Sequence, residues 1–112
     1  MKHYCMIAEV KPEHQQAYID EHKNCWPELL KVIKDSGIEE EIIYFHKNQT
    51  IVFFRCRDDA PLRACTALQN GKDATKRWDI LMRPMFETEF VFPEKVFDLN
   101  QQLGDGLVQD EK

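Results

Sequence analysis

Two side chains one helical turn apart are the strongest candidates for chemistry in this sequence. Tyr18 and His22 stand four residues apart, so on a helix they lie on one face and can line one pocket. An imidazole with an ordinary pKa of about 6.5 can accept and donate a proton near neutral pH. The spacing therefore indicates acid/base chemistry centred on His22. The alternative is ordinary packing, with the histidine bonded to a backbone carbonyl and the tyrosine hydroxyl reaching water.

Other residues supply a carboxylate and flat apolar surfaces. Glu41 shares a predicted strand face with Ile43 and Phe45, and a carboxylate on an apolar face is costly unless it is paired or hydrogen-bonded. Glu41 can equally be a solubilising charge on an edge strand. Trp26 and Trp78 are either core residues or walls against which the C–H face of a sugar ring can stack.

Several familiar kinds of site find no support in the sequence. There is no Walker motif, and four glycines are too few for a glycine-rich phosphate loop. Ser36 is the only serine and falls where a helix should end, which disfavours a Ser–His–Asp triad. The four histidines lack His-x-x-x-His spacing, so we predict no metal site.

The hydrophobic pattern predicts the elements that must hold these residues. Strands are indicated by alternation of apolar residues and helices by an apolar stripe at helical spacing. In chain order the predicted elements are a strand at 3–10, a helix at 12–36, strands at 38–46 and 50–57, helices at 61–70 and 73–83, and a strand at 85–92. Pro27 lacks an N–H and disfavours helical geometry at Trp26, so the first helix should kink or break near residues 23–26.

This order of elements predicts the α+β fold class, as the ferredoxin-like βαββαβ arrangement. Helices cover only one face of such an antiparallel sheet, and the other face would show Phe and Ile to water. Pairing two sheets in a homodimer covers both apolar faces, so we expect a dimeric α/β-barrel. Residues 1–100 form the predicted single domain, and the polar residues 101–112 a flexible tail.

Charge and cysteine usage narrow the expected partners and location. Fifteen Lys and Arg against twenty Asp and Glu give a net charge of −5, which argues against nucleic acid as a partner. No apolar run is long enough for a membrane span, and the N-terminus does not resemble a signal peptide. The four cysteines lack Cys-x-x-Cys spacing, so we expect reduced thiols in a cytoplasmic protein.

One longer motif is typical of a known family. The run Tyr18-x-x-x-His22-x-x-x-Trp26-Pro27-Glu28-Leu29 resembles the L-rhamnose mutarotases. Weaker matches follow in the family's order: Val10-x-Pro12, Gly37, Ile43-Tyr44, Arg77-Trp78 with Met82, and Val96-Phe97-x-Leu99. The resemblance covers about residues 3–99.

The resemblance implies a function and a site. Members of that family are dimeric α/β-barrel isomerases that interconvert the α and β anomers of a 6-deoxy-aldopyranose, without a cofactor. On this basis His22 matches the catalytic proton donor, and Tyr18 and Trp78 match residues that contact sugar. Two sugar-contacting positions depart from the family pattern: Glu41 replaces a tyrosine, and Asp79 replaces a second tryptophan. A sugar with another hydroxyl arrangement, such as L-fucose, is therefore a candidate beside L-rhamnose.

Two questions stay open at this point. Either Glu41 or Tyr18 can be the second acid/base group. The protein can also be a non-catalytic small-ligand-binding barrel, or a haem- or oxygen-handling one, because one fold serves several chemistries.

Overall fold

The computed structural model describes residues 2–110, with side chains up to residue 104. The strands in this range are β1 (Lys2–Glu9), β2 (Ile38–His46) and β3 (Gln49–Cys56). The helices in this range are α1 (Gln15–Lys23), α2 (Pro27–Asp35), α3 (Leu62–Asn70), α4 (Asp73–Met82) and α5 (Leu99–Asp110), with 3-10 turns at Pro12–His14 and Arg83–Met85. No helix in the described range has both the length and the apolar character needed to cross a bilayer.

The three strands form an antiparallel sheet in the order β1-β3-β2. β2 and β3 are joined by the two-residue turn Lys47–Asn48, in which Lys47 adopts a left-handed φ of 56°. Side chains alternate along β1, so Tyr4, Met6 and Ala8 point toward the helices. This buried face is where a side chain from the sheet can meet one from a helix.

The segment predicted as a fourth strand lies beside β1, but it pairs with β1 irregularly. Residues 85–92 run along the free edge of β1, with bridges from Val10 to Phe86 and from Ile7 to Val91. Three steps along β1 thus correspond to five along the edge segment, and the Glu9 N–H donates to the Thr88 hydroxyl at 2.9 Å. The prediction of a regular strand was wrong because these extra residues interrupt the backbone ladder. The path of the chain is nevertheless that of the ferredoxin-like α+β fold, as predicted.

The break at Pro27 is confirmed. α1 ends at Lys23, and α2 begins at Pro27 after Trp26 in an extended conformation (φ −63°, ψ 129°). Proline suits the first position of a helix because that N–H has no partner inside the helix. The break leaves His22 in the last turn of α1.

Two clusters of buried residues lie between the helices and the sheet. One joins β2, β3 and α3 through Ile38, Val52, Phe54, Cys56, Ala60 and Cys65, and the other contains Val10, Tyr18, Met82 and Met85. All four cysteines are free thiols, although the Sγ atoms of Cys56 and Cys65 are 3.9 Å apart. Gly37, with φ +109°, carries the chain from α2 into β2, and a Cβ there would lie 2.6 Å from the Cβ of Ala60.

The far face of the sheet is uncovered and apolar. Ile42, Tyr44 and Phe53 are 44%, 58% and 45% exposed on this face. This agrees with the sequence-based expectation of an apolar face opposite the helices.

The C-terminal segment differs from the expected tail in secondary structure. Helix α5, which was not predicted, begins at Leu99 and contains a non-helical backbone at Gly104 (φ 17°, ψ −120°). Residues 111 and 112, the end of the predicted tail, lie outside the described residues. The flexibility of the tail stays a prediction.

Candidate functional site

A cavity of about 440 Å³ opens between the α1–α2 junction, α2 and β2. This volume falls in the range of small-ligand sites, about 300–1,000 Å³. Its walls carry both polar and aliphatic side chains; they comprise His22, Lys23, Cys25, Leu29, Leu30, Ile33, Lys34, Ile38, Glu39, Glu40, Glu41, Ile43 and Trp78. The sequence-predicted residues His22, Glu41 and Trp78 therefore meet at one cavity.

The imidazole of His22 is held in one tautomer. Its Nδ1 lies 2.7 Å from the backbone oxygen of Tyr18, one turn earlier on α1. A carbonyl can only accept, so Nδ1 carries the proton, and in the neutral ring Nε2 keeps its lone pair. Burial lowers the pKa of His22, while the Tyr18 carbonyl and the charge of Glu21 oppose that shift. The packed-histidine interpretation and the functional one are thus both compatible with the geometry.

A bulge in β2 explains why Glu41 faces the cavity. Ile38 pairs with Cys56 and Glu40 with Arg55, so Glu39 is an extra residue on β2. Without it, Ile38 and Glu41, three residues apart, would point to opposite faces of the sheet. With it, Ile38 fills the core and Glu41 enters the cavity wall.

The carboxylate of Glu41 lines the cavity without a protein partner in the described part of the chain. Among the described residues, its side chain has no hydrogen-bond or ion-pair partner, although water in the cavity can reach it. The side chain stays exposed to solvent, but the protein around it displaces part of its hydration, and this raises the pKa of Glu41 above the ordinary value. Glu41 therefore retains a proton at a higher pH than a carboxyl in water.

Trp78 and Trp26 form an aromatic cluster with the imidazole. The Trp78 ring is edge-on to His22, with centroids 5.1 Å apart, and edge-on to Trp26, also at 5.1 Å. Trp26 is not part of the cavity lining; it supports Trp78 from behind, under the guanidinium of Arg77 at 5.1 Å. Of the two tryptophans, Trp78 is the one that offers its surface to the cavity.

Tyr18 lies behind His22 instead of on the cavity wall. Its side chain is only 3% exposed, and its ring centroid is 4.1 Å from that of the imidazole. The hydroxyl bonds to the hydroxyl of Thr50 at 2.8 Å. Burial raises the pKa of Tyr18 to about 12, despite the opposing bond to Thr50. The sequence placed Tyr18 beside His22 correctly, but the structure does not open it to the cavity.

Asp79 is not brought to the cavity. Its carboxylate is exposed and forms an ion pair with Arg83, four residues later and directly after the end of α4. Neighbouring residues on a helix point about 100° apart, so when Trp78 faces inward Asp79 faces solvent. A sugar-contacting role for Asp79 has no support from this arrangement.

The cavity has further polar side chains, which include Lys34, Glu39 and Cys25. Lys34 donates to the backbone oxygen of Glu39 at 2.8 Å and to its carboxylate at 3.3 Å. Burial raises the pKa of the Cys25 thiol, which disfavours a thiolate nucleophile. Within residues 2–110, no group of three or more His, Cys, Asp or Glu side chains is arranged to hold a metal ion.

Sequence reasoning missed two contributors to the site. Cys25 lines the cavity, although no role in the site was predicted for it. Thr50 was not considered, but alternation along β3 puts it on the same face as Val52 and Phe54, so a hydroxyl was predictable on the buried face.

Comparison with known proteins links this chain to one family. The sequence model of a family described as L-rhamnose mutarotase matches residues 3–101. The chain is 34% identical over 81 residues to an L-rhamnose mutarotase of Phocaeicola vulgatus, covering 72% of this chain and 77% of that protein. It is 30% identical over 81 residues to one of Formosa agariphila, with the same two coverages, 72% and 77%.

Solved structures agree on the fold. A crystal structure of an L-rhamnose mutarotase from Formosa agariphila superposes with a TM-score of 0.68 at 21% identity, covering 88% of this chain and 98% of that one. An antibiotic biosynthesis monooxygenase superposes with a TM-score of 0.59 at 13% identity, covering 87% and 100%. Proteins of different chemistry thus share this architecture, so the superpositions show the fold alone.

Proposed function

Because the chain belongs to the L-rhamnose mutarotase family, we propose that it interconverts the α and β anomers of a 6-deoxy-aldopyranose, with His22 as the main proton-transfer group. One observation carries the proposal. The Nδ1–H bond to the Tyr18 carbonyl directs the lone pair of His22 to Nε2, and His22 shares a cavity with Glu41, the carboxylic acid whose pKa is raised. A base and a carboxyl group that holds its proton to a higher pH than usual thereby share one site.

The proposed reaction conserves protons at every step. On ring opening, Nε2 of His22 takes the proton of the anomeric hydroxyl, the carboxyl of Glu41 protonates the ring oxygen, and the C1–O5 bond breaks. The free aldehyde rotates about C1–C2. On closure, O5 attacks the other face of C1, Glu41 takes back the O5 proton, and the imidazolium returns its proton to O1.

This assignment selects Glu41 over Tyr18 as the second group. The Tyr18 hydroxyl is bonded to Thr50 away from the cavity, and its pKa of about 12 makes it a poor acid near neutral pH. Tyr18 instead supplies the carbonyl that orients the imidazole and stabilises the imidazolium during the reaction.

The walls of the cavity suit a 6-deoxy sugar. Leu29, Ile33 and Ile38 add aliphatic surface to the wall that can contact the C6 methyl group, and Trp78 offers an aromatic wall for the ring. A 6-hydroxyl placed against these aliphatic side chains would lose its hydrogen bonds to water. We include L-rhamnose and L-fucose as candidates, since Glu41 stands where relatives carry a tyrosine and accepts hydrogen bonds from sugar hydroxyls.

We further propose that the protein works as a homodimer. The uncovered sheet face presents Ile42, Tyr44 and Phe53 to solvent, and Val96 and Phe97 project from the segment after the edge strand at 82% and 63% exposure. A second copy covers these residues in an isologous pair, which satisfies both apolar faces at once.

We place the protein in the cytoplasm as part of this proposal. All four cysteines are free, including the buried Cys56 and Cys65 with Sγ atoms 3.9 Å apart, as suits a reducing compartment. Detection of the endogenous protein in the cytosolic fraction supports the assignment, and its detection only in a secreted fraction contradicts it.

Saturation-transfer NMR of anomer exchange tests the activity. L-Rhamnose is compared with its 6-hydroxy counterpart L-mannose, and L-fucose with L-galactose. We expect accelerated exchange of at least one 6-deoxy sugar and weaker acceleration of its 6-hydroxy partner. Equal acceleration of both members of each pair refutes the substrate class.

The alternative functions give different outcomes. Sugar-dependent thermal stabilisation without exchange indicates a non-catalytic binding protein. A Soret band in the purified protein indicates haem and overturns the proposal.

A further inference from the structure

A buried hydroxyl on the sheet is linked to His22 through one intervening side chain. Thr50 of β3 is fully buried, and its Oγ1 lies 2.8 Å from the Tyr18 hydroxyl. Tyr18 then contacts the imidazole with its ring, centroid to centroid at 4.1 Å, and binds it through the backbone carbonyl at 2.7 Å. The path from Thr50 to His22 therefore consists of direct contacts.

Apart from Thr50, the side chains that pack against the Tyr18 ring in the core are apolar. Phe45 and Phe86 contact it at centroid distances of 6.0 and 5.7 Å, and Val10, Met82 and Met85 share its buried cluster. Such apolar contacts are non-directional. A hydrogen bond at the end of the ring opposes sliding, because its energy depends on distance and direction. The hydroxyl of Thr50 is the partner that holds the buried end of Tyr18.

We propose that Thr50 is a positioning residue, whose hydroxyl fixes the Tyr18 ring and so holds the His22 imidazole at the cavity wall. This inference rests on the proposed role of His22. Thr50 does not line the cavity and acts only through Tyr18. Without the Thr50 hydroxyl, we expect the ring of Tyr18 to shift and the imidazole of His22 to become better hydrated.

Three variants test the hydroxyl separately from the volume. Thr50→Val keeps the shape and removes the bond, and Thr50→Ser keeps the bond. We expect Thr50→Val to slow anomer exchange about 5-fold, the rate equivalent of one net hydrogen bond. Thr50→Ser should stay within about 2-fold of wild type, well below that loss. Thr75→Val is the matched control, because the Thr75 hydroxyl is also buried but has no hydrogen-bond partner among the described residues.

The titration of His22, followed by NMR without sugar, separates positioning from a general loss of stability. We expect Thr50→Val to move the pKa of His22 up toward its ordinary value, because burial is what lowers it. The other titratable groups beside His22 or on the cavity wall are unchanged in every variant: Glu21, Lys23, Cys25, Lys34, Glu39, Glu40 and Glu41. Thr50→Ser and Thr75→Val should titrate like wild type.

A double-mutant cycle with Tyr18→Phe tests the route. If Thr50 acts through the Tyr18 hydroxyl, Thr50→Val has no further effect once that hydroxyl is gone. Should Thr50→Val fail to fold, Tyr18→Phe breaks the same bond from the other side and should give the same shift in the His22 titration.

The outcomes distinguish this inference from the proposed function. If His22→Gln exchanges sugar as fast as wild type, the proposed mechanism is wrong, but the titration still reports whether Thr50 positions the ring. If Thr50→Val leaves the His22 titration unchanged, or if Thr50→Ser behaves like Thr50→Val, the positioning role is refuted.

Discussion

Replacing Glu41 by glutamine should make the protein more stable and less active. Burial raises the pKa of this carboxyl, so the folded state binds the proton more tightly than the unfolded chain does. The protonated group thus adds stability that is fully present below the unfolded pKa of about 4.5 and is lost as pH rises through the folded pKa. At neutral pH, which is above the unfolded pKa, this loss makes the carboxyl group less favourable in the folded state than a neutral amide of the same shape, which does not titrate.

The structure bounds the size of the gain. An unpartnered polar group costs about 1–3 kcal/mol when it is taken from water in a protein. Because the Glu41 side chain is exposed to solvent, we expect a gain below that range, about 0.5 kcal/mol at pH 7. That corresponds to about 2 °C in Tm for a domain of this size. The gain should disappear near pH 4, where the carboxyl is protonated in both states.

Urea unfolding at pH 7 and pH 4, combined with anomer exchange, measures both effects. Loss of the second acid/base group should slow exchange by about 10²–10⁴-fold. Glu89→Gln is the matched control, since Glu89 is exposed and lies away from the cavity. A Glu41→Gln variant that is less stable at pH 7, or equally stabilised at pH 4, refutes the desolvation argument. Unchanged exchange refutes the catalytic role.

Three further changes have defined outcomes. His22→Gln should slow exchange by about 10²–10⁴-fold with little change in Tm, and exchange at the wild-type rate excludes His22 as the acid/base group. Phe53→Glu on the uncovered face should yield monomers in analytical ultracentrifugation. Ile80 is 75% exposed on α4, so Ile80→Glu is the control and should remain dimeric. Dimers of both variants would point to another interface. Gly37→Ala should lower the free energy of unfolding in urea by about 2–4 kcal/mol, because φ is +109° and the new methyl lies 2.6 Å from a neighbouring Cβ. Gly71→Ala, with a φ of −81° and open space, should not destabilise; equal losses for the two glycines would contradict the strain argument.

Local chemistry made part of this site predictable. The helical repeat put Tyr18 and His22 on one face, and the covalent ring of Pro27 required the break after them. Alternation along β2 placed Glu41 on the same face as Ile43. Each of these predictions depends only on the backbone geometry of one element.

The misplaced residues show where such reasoning stops. The family resemblance placed Asp79 among the sugar-contacting residues, yet its carboxylate forms an ion pair with Arg83. Tyr18 was expected to contact sugar, but its hydroxyl forms a hydrogen bond with Thr50 of β3. The irregular edge at residues 85–92 depends on the fit of Thr88 against β1, which alternation of apolar residues does not encode.

By itself the sequence determined which side of each helix and strand faces inward, because that follows from covalent geometry and hydrophobic period. Only the tertiary structure decided which side chains meet on the inner side. The bulge at Glu39 turns Glu41 into the cavity wall. The ring of Trp78 packs edge-on against His22, and Tyr18 is buried behind the imidazole. The reason is that a cavity wall is shared by elements distant in sequence, and their relative placement depends on the packing of the whole chain.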